Sequence, residues 1–197
     1  MSEAWGCDVE PGALFLNPEA DPIARARDLV RRLTLEEKSA LIGEDAPAVP
    51  RLGLHAYNWW NECLHGVGRA GKATVFPQAI GLASTWNTDL MLRIGTAISD
   101  EARAKHHAAL RQGNRTINLG LTYWSPTINI LRDARWGRAQ ETYGEDPFLT
   151  GSLAVQFIKG LQGTDPKYIK VVGTAKHYAA HNGPENGRSA FDATVNM

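Results

Sequence analysis

Residues 147–177, PFLTGSLAVQFIKGLQGTDPKYIKVVGTAKH, carry the clearest signal for the fold class of this protein. Pro147 suits the first turn of a helix, where a backbone N–H has no intrahelical partner, and the residues after it predict a helix to about Lys159. We expect Gly160 and Gly163 to close this helix, because glycine favours the conformation that ends helices. A segment typical of a β-strand comes next, so the chain passes directly from helix to strand.

Helices and strands also alternate upstream of this stretch. Residues 168–175 are the strand candidate within the stretch, and residues 117–124 are an earlier strand candidate upstream of it. Before the strand candidate at residues 117–124, apolar residues at helical spacing predict a long helix over residues 88–110. Its apolar stripe comprises Leu90, Ile94, Ala97, Ile98, Ala102 and His106. Strands that alternate with helices indicate a parallel α/β architecture, in which ligand sites lie in the loops after strands.

The N-terminal part of the sequence predicts an arm followed by two short helices. We assign residues 1–33 to the arm and to an amphipathic surface helix that opens at Pro22, and residues 34–197 to the main domain. Thr34-Leu35-Glu36-Glu37 has the capping-box pattern, in which a hydroxyl and a carboxylate satisfy free backbone amides at a helix start. This second helix is expected to run to about Ile42.

The composition is that of an ordinary globular protein without net charge. The 197 residues include 21 basic and 21 acidic side chains, and 43% of all residues are hydrophobic. Zero formal charge gives no general attraction to phosphate backbones or anionic lipid, so we expect no nucleic acid and no membrane as partner. Residues 1–15 lack the basic start and apolar stretch of a signal peptide, which leaves the compartment open. Cys7 and Cys63 are too few for a disulfide scaffold.

Trp59-Trp60-Asn61-Glu62, where we expect a strand end to run into a loop, is the first of three polar and aromatic clusters that follow strand candidates. Indole faces stack on the C–H surface of a sugar, and a carboxylate accepts hydrogen bonds from neighbouring hydroxyls. This combination favours a sugar-binding site. The alternative is structural, with both tryptophans in the core and Glu62 at the end of a helix.

The second cluster covers residues 132–147 and combines arginines and acidic residues with Trp136 and Tyr143. Solvated charged loops usually lack such aromatic side chains, so we expect a rigid, partly buried loop held by salt bridges. One of its arginines would then project into a pocket as a donor to hydroxyl groups.

The third cluster consists of Lys176-His177 and the residues 181–188 that follow. The end of a buried strand favours apolar residues, so a lysine and a histidine there indicate donors to the hydroxyls of a ligand. His177 and His181 are four residues apart, which leaves a metal site as an alternative. The pattern has neither a helix nor a companion glutamate, and we therefore predict no metal ligands and no cofactor.

Several motifs of the sequence occur together in one order: Trp60-Asn61-Glu62-Cys63-Leu64-His65-Gly66, Phe76-Pro77-Gln78-Ala79-Ile80, Tyr123-Trp124-Ser125-Pro126, Trp136-Gly137-Arg138 with Glu141-Thr142-Tyr143-Gly144-Glu145-Asp146-Pro147, and Lys176-His177-Tyr178-Ala179. In this order the sequence resembles glycoside hydrolase family 3, and most closely its β-xylosidase-like branch. The resemblance implies a retaining exo-glycosidase whose first domain is a (β/α)8 barrel. The expected fold class is therefore α/β, the N-terminal portion of a TIM-type barrel that is incomplete at its C-terminus.

The resemblance also implies roles for particular residues. Glu62 matches the acidic residue that holds sugar hydroxyls in the −1 subsite, a position where glucosidase-like members usually have aspartate. The extra methylene would push the carboxylate toward the space of a glucose C6 hydroxymethyl group and so favour a pentose. With Trp60 of the first cluster, the other predicted substrate-binding residues are Arg138, Lys176, His177 and Arg188.

Retaining hydrolysis also needs a nucleophile and an acid/base carboxyl group about 5 Å apart. In the family, the nucleophile is an aspartate of a Ser-Asp motif after a later barrel strand, and the acid/base glutamate usually comes from the second domain. Ser99-Asp100 has these letters but lies in a helical pattern and too early in the chain. We therefore expect both catalytic residues beyond Met197 and an isolated chain that is inactive.

The sequence thus predicts the N-terminal part of a retaining β-glycosidase that removes terminal β-linked sugars, with β-D-xylosides favoured. The alternatives are a non-catalytic carbohydrate-binding or interaction protein built from a truncated barrel, and a metal-dependent barrel hydrolase. A complete barrel takes about 250 residues, so this chain corresponds to about half of one. An incomplete barrel leaves a strand edge open, so a chain that ended here would need self-association or a complementing C-terminal segment.

Overall fold

The computed structural model describes residues 9–179, 181–187, 190 and 192. These residues form two compact units, one that ends at Trp59 and one that starts at Trp60. Among the described residues, no helix is long and apolar enough to cross a membrane. The division predicted from the sequence, between residues 1–33 and 34–197, stays a prediction.

The first unit begins with two helices whose starts are fixed by side chains. Helix α1 spans Pro22–Arg32, and the Asp21 side chain accepts a hydrogen bond from a backbone N–H in its first turn. Helix α2 spans Leu35–Leu41. The backbone N–H of Glu37 donates to Thr34 Oγ1 at 3.2 Å, and the backbone N–H of Thr34 donates to Glu37 Oε2 at 2.8 Å. The predicted capping box is confirmed.

The first unit also contains a small antiparallel strand pair and an apolar cluster. Strand β1, Asp45–Ala46, pairs with β2, Tyr57–Asn58. Two short 3-10 helices, Leu14–Leu16 and Pro50–Leu52, contribute to the same unit. Among the described residues of this unit, Ala13, Phe15, Leu33, Val49 and Leu52 form a buried apolar cluster, and Ala46 of β1 is also buried.

The second unit contains the parallel α/β part of the protein. Its helices and strands are α3 (Ala79–Ala83), α4 (Thr88–Arg111), β3 (Thr122–Tyr123), α5 (Pro147–Gln162) and β4 (Val172–Gly173). Strands β3 and β4 are parallel, and α5 lies between them in the sequence, as a parallel connection requires. The predicted α/β class with parallel strands is confirmed.

Helices α4 and α5 cross at two glycines. A Cβ atom on Gly95 would lie 2.5 Å from the carbonyl oxygen of Phe157 and 3.2 Å from the Cα of Gly160. Ser99 Oγ donates to the carbonyl oxygen of Gly160 at 3.0 Å. The fully buried side chains on the two helices include Met91, Ile98, Leu153, Phe157 and Leu161. The close approach of the backbones lets these side chains fill one core.

This crossing corrects two predictions about the helices. Gly160 does not close α5, which continues to Gln162 and ends at Gly163. Ala97 is exposed, whereas Gly95 and Ser99 are buried, so the buried face of α4 is rotated from the predicted stripe. Small residues face α5 because the helices can approach closely only where side chains are short.

The strands are also shorter than predicted, since each keeps two residues of an expected eight-residue run. Beside β3, the Asn61 side chain takes over hydrogen bonds that a neighbouring strand would make. Its Nδ2 donates to the carbonyl oxygen of Thr122 at 2.7 Å, and its Oδ1 accepts from the backbone N–H of Gly120 at 2.7 Å. Because a side chain replaces a neighbouring strand in this hydrogen-bond pattern, the backbone ladder is interrupted and the regular strand is short.

The charged loop between β3 and α5 has the predicted character. Trp136 and Tyr143 are 2% and 1% exposed. An ion pair joins Arg135 Nη2 to Asp133 Oδ2 at 2.6 Å, and a short 3-10 helix spans Ala139–Glu141. Buried aromatic rings and ion pairs together hold this loop in a defined shape.

Candidate active site

Loop residues of the second unit converge on one cleft. The cleft has two lobes, with volumes of about 680 and 340 Å³, that share the side chains of Trp60, Glu62, Arg138 and Lys176. The larger lobe is also lined by Leu64, His65, Gly66, Gly68, Arg69, Gln78, Gln140 and Glu141, and the smaller by Trp124, Thr174, His177 and Tyr178. Three sequence clusters that are far apart in the chain therefore meet here.

Glu62 is held in the cleft by buried residues on either side of it. Asn61 and Cys63 are fully buried, whereas Trp60 and Glu62 line the cleft. There, Trp60 Nε1 donates to Glu62 Oε1 at 3.2 Å. Burial raises the pKa of the Cys63 thiol, so it stays protonated and serves as packing.

The tryptophan pair of the cleft is not the pair that is adjacent in the sequence. The Trp60 ring stacks on Trp124, with ring centroids 4.7 Å apart and an interplanar angle of 19°. Trp59 belongs to the first unit, where its ring meets Tyr57 edge-on. Trp124, which directly follows β3, is the aromatic partner that the sequence clusters did not single out.

Arg138 and Glu141 form the central ion pair of the cleft. Arg138 Nε donates to Glu141 Oε1 at 2.8 Å, and its Nη2 donates to Oε2 at 2.6 Å. Burial alone would raise the pKa of Glu141, but the hydrogen bonds and charge of Arg138 outweigh it and lower that pKa. The same bonds raise the pKa of Arg138. Both side chains are therefore ionised, and Glu141 fixes the orientation of the guanidinium group.

Lys176 and His177 enter the cleft from the segment that follows β4. Lys176 Nζ lies 3.8 Å from Glu62 Oε2, a separation beyond a direct hydrogen bond. His177 Nε2 lies 3.1 Å from Arg138 Nη1, and its Nδ1 lies 2.8 Å from Asn129 Oδ1. Burial, reinforced by the charges of Arg138 and Lys176, lowers the pKa of His177 to about 4. The imidazole is consequently neutral at physiological pH.

Five of the six predicted substrate-binding residues thus line one cleft: Trp60, Glu62, Arg138, Lys176 and His177. Arg188, the sixth, lies outside the described residues. His177 and His181 pack edge to face with centroids 4.7 Å apart. Within the described part of the chain, no group of three or more His, Cys, Asp or Glu side chains is arranged to hold a metal ion.

The structure also brings in residues to which the sequence assigned no role. Trp124 and Glu141 lie in motifs that the sequence makes visible, one after a strand and one three residues beyond Arg138. Gln78 and Gln140 add amide groups to the larger lobe. Asn129, in contrast, stands in an apolar run without any local signal, and its 8% exposure and its contact with His177 emerge only in the fold.

The fold and the site define an α/β protein whose polar, tryptophan-lined cleft lies beyond the carboxyl ends of parallel strands, where such folds bind ligands. The family model of the glycosyl hydrolase family 3 N-terminal domain matches residues 48–194. The chain therefore belongs to glycosyl hydrolase family 3, as its motifs predict.

Curated relatives of the chain carry xylosidase names. The chain is 44% identical over 183 residues to the xylan 1,4-β-xylosidase of Xylanibacter ruminicola. This alignment covers 91% of this chain and 21% of that protein. It is 43% identical over 217 residues to β-D-xylosidase 3 of Arabidopsis thaliana, over the whole of this chain and 27% of that protein. The chain thus spans only about a quarter of the length of the curated relatives it matches.

Solved structures in the same family share the fold. A family 3 exo-β-xylosidase in complex with a xylobiose aziridine activity-based probe aligns with a TM-score of 0.77 and 38% identity, over 90% of this chain and 24% of that one. β-Glucosidase 3B from Thermotoga neapolitana in complex with α-D-glucose aligns with a TM-score of 0.62 and 30% identity, over 80% and 23% of the two chains.

Proposed function

We propose that this chain supplies the sugar-binding part of a retaining β-glycosidase that removes terminal β-D-xylosyl groups. The observation that carries the proposal is the convergence of Trp60, Glu62, Arg138 and Lys176 on one cleft. The relatives named as xylosidases support the choice of sugar. Within the cleft, Lys176 lies near Glu62 and Arg138 forms an ion pair with Glu141, while Arg69 also lines the larger lobe.

The separation between Lys176 and Glu62 suits a sugar hydroxyl. At 3.8 Å, the ammonium and the carboxylate are close enough to attract each other but too far apart to bond directly. A hydroxyl group between them accepts from Lys176 Nζ and donates to Glu62 Oε2. Because both partners are charged, these hydrogen bonds are stronger than bonds between neutral groups. The stacked rings of Trp60 and Trp124 provide an apolar wall beside this position.

Arg138 adds donors that respond to the transition state. Three of its N–H groups bond to Glu141 and His177, which leaves two of the five for a ligand among the contacts of the described residues. Glycoside hydrolysis passes through an oxocarbenium-like transition state that redistributes charge over the sugar. Charged donors that strengthen at this point accelerate the reaction as well as bind the sugar.

We propose further that residues 34–197 are the first part of a (β/α)8 barrel and that the catalytic carboxylates are supplied by sequence outside residues 1–197. Within the cleft, Glu141 is held by Arg138 and so is a poor proton donor. A retaining enzyme needs a second carboxyl group about 5 Å from the first, and Glu62 is engaged with Trp60. The isolated 197-residue chain is accordingly expected not to hydrolyse glycosides.

The proposal is tested by comparing residues 1–197 alone with the full-length polypeptide, meaning residues 1–197 together with the sequence proposed to supply the catalytic carboxylates. We expect the full-length polypeptide to hydrolyse aryl β-D-xyloside and the short chain to show no turnover. Binding of xylose is followed separately through tryptophan fluorescence, because Trp60 and Trp124 line the cleft. Xylose binding by a full-length polypeptide without turnover would favour the non-catalytic carbohydrate-binding alternative. Turnover by residues 1–197 that a substitution within them abolishes would contradict the placement of the catalytic residues.

The length of the Glu62 side chain gives a test of sugar specificity. In Glu62→Asp the carboxylate retreats by one methylene, which opens space beside the C5 position of the sugar. One methylene in a pocket is worth about 10–200-fold in discrimination, so the kcat/KM ratio of aryl xyloside to aryl glucoside is expected to fall by at least about tenfold. Steady-state kinetics on both substrates measure this ratio.

The matched control for this variant is Glu145→Asp, because Glu145 is exposed and lies outside the cleft. That substitution shortens an acidic side chain without changing the sugar ratio. If Glu62→Asp has the same xyloside-to-glucoside ratio of kcat/KM as the wild-type protein, the proposed origin of xylose preference is wrong.

A further inference from the structure

Asn129 holds His177 through two hydrogen bonds to a single oxygen atom. Its Oδ1 accepts from the backbone N–H of His177 at 3.0 Å and lies 2.8 Å from His177 Nδ1. Its Nδ2 donates to the carbonyl oxygen of His181 at 2.9 Å. Asn129 is 8% exposed, so these bonds form with little competition from water.

The partners of Asn129 fix the orientation of its amide. A backbone N–H can only donate, and a backbone carbonyl can only accept, so the atom that faces His177 is the oxygen. An amide oxygen carries no proton, and therefore His177 Nδ1 is the donor of the 2.8 Å hydrogen bond. Asn129 thus selects the tautomer of His177 with its proton on Nδ1.

The tautomer in turn determines how His177 meets Arg138. In a neutral imidazole with a proton on Nδ1, Nε2 is an acceptor. Arg138 Nη1 can only donate, and its 3.1 Å separation from Nε2 is that of an N–H···N hydrogen bond. Arg138 is then held on both sides, by Nε2 of His177 and by the carboxylate of Glu141.

We propose that Asn129 is a positioning residue, which acts through the His177 tautomer to hold Arg138 for the sugar. In this arrangement His177 lines the cleft but has no N–H left to donate, and Arg138, together with Lys176, donates to the sugar instead. The inference deepens the proposed function and rests on it.

Protonation of His177 breaks this chain of hydrogen bonds. Among the described residues, the charged and titratable groups that face His177 are Arg138, Lys176, His181 and Glu141. Three of them disfavour a positive charge on the imidazole, and only Glu141 favours it. A proton on Nε2 would point at the Arg138 guanidinium. A carboxylate at position 129 would favour the imidazolium, so Asn129→Asp is expected to bring this protonation to higher pH.

The test measures the pH profile of kcat/KM for aryl β-D-xyloside in the full-length polypeptide. We expect Asn129→Asp to shift the acid limb of the profile to higher pH, and Asn129→Ala to lower kcat/KM by about 10–100-fold through misplacement of Arg138. Asn182→Asp is the matched control. Asn182 is also 8% exposed and also donates to a backbone carbonyl, but its side-chain oxygen accepts from Arg132 instead of His177. The acid limb of the Asn182→Asp profile is expected to lie at the same pH as in the wild-type protein.

A double variant separates the effect on His177 from a general change in structure. His177→Gln keeps an amide oxygen that can accept from Arg138 but has no titratable ring. In that background, Asn129→Asp should no longer shift the acid limb. A shift that persists, or one that Asn182→Asp reproduces, would overturn the positioning role.

A spectroscopic measurement distinguishes failure of this inference from failure of the proposed function. Nitrogen-15 spectra of histidine-labelled protein, assigned by the loss of the His177 signal in His177→Gln, report which ring nitrogen carries the proton. We expect Nδ1 of His177 to be protonated at neutral pH in the wild-type protein and less so in Asn129→Ala. An inactive protein with this tautomer would contradict only the function. A proton on Nε2 at neutral pH would contradict the inference itself.

Discussion

Arg138→Lys is expected to lower kcat/KM for aryl β-D-xyloside by about 10²–10³-fold, the range seen when an oriented donor is removed from an active site. The substitution keeps the positive charge of the side chain. It removes the planar fork that bonds both oxygens of Glu141 and the further N–H that reaches His177 Nε2. An ammonium group cannot make these bonds in one plane and still present donors to a sugar. Steady-state kinetics of the full-length polypeptide measure the loss.

Arg135→Lys provides the comparison for this prediction. Arg135 lies in the same loop and also forms an ion pair, with Asp133, but 74% of its side chain is exposed. Exposed ion pairs contribute little, and lysine preserves the charge, so kcat/KM should remain near the wild-type value. Equal losses in the two variants would mean that the loop, and not the oriented guanidinium of Arg138, controls the rate.

Gly160→Ala is expected to lower the free energy of unfolding by about 3 kcal/mol, at the upper end of the cost of overpacking a core. A Cβ atom at this position would overlap the carbonyl oxygen of Leu92 and lie 2.7 Å from the backbone nitrogen of Thr96. These are backbone atoms of α4, so no side-chain rotation relieves the overlap. The helices must separate, and the contacts of buried Phe157 and Leu161 loosen with them. Urea unfolding followed by circular dichroism measures the effect.

Gly151→Ala, in the same helix, is the control for the Gly160 variant. A Cβ at Gly151 meets no atom within 4 Å. Alanine there is expected to stabilise the protein by about 0.5–1 kcal/mol, because glycine is the more flexible residue in the unfolded chain. A Gly160→Ala protein as stable as Gly151→Ala would show that the helices do not cross as closely as described.

Helices α1, α2, α4 and α5 were predictable because their signals are local. The capping box of Thr34 and Glu37 and the proline starts of α1 and α5 act within one turn of the chain, and the structure confirms them. The end of α5 was not predictable in the same way. The sequence does not distinguish a glycine that ends a helix from a glycine that lets a second helix pack closely. Only the position of α4 beside Gly160 identifies it as the second kind.

The strands and the site show the same limit at longer range. The β-rich segments are in the predicted places, but their regular parts are shorter because the Asn61 side chain enters the hydrogen-bond pattern next to β3. Trp60 was recognised as a site residue, but its stacking partner is Trp124 and not its neighbour Trp59. Sequence distance does not indicate which aromatic rings meet when loops converge.

The sequence alone was sufficient to identify the family, the order of the four longer helices and the two parallel strands, and five residues that meet in the cleft, because these depend on residue types and local spacing. The tertiary structure was needed to establish what each side chain does there. Asn129 and Asn182 are both asparagines and are equally buried, yet Asn129 forms a hydrogen bond with His177 and Asn182 forms one with Arg132. The proton position on His177 and the orientation of Arg138 follow from hydrogen bonds between residues far apart in the chain, and such bonds exist only once the backbone has brought those atoms together.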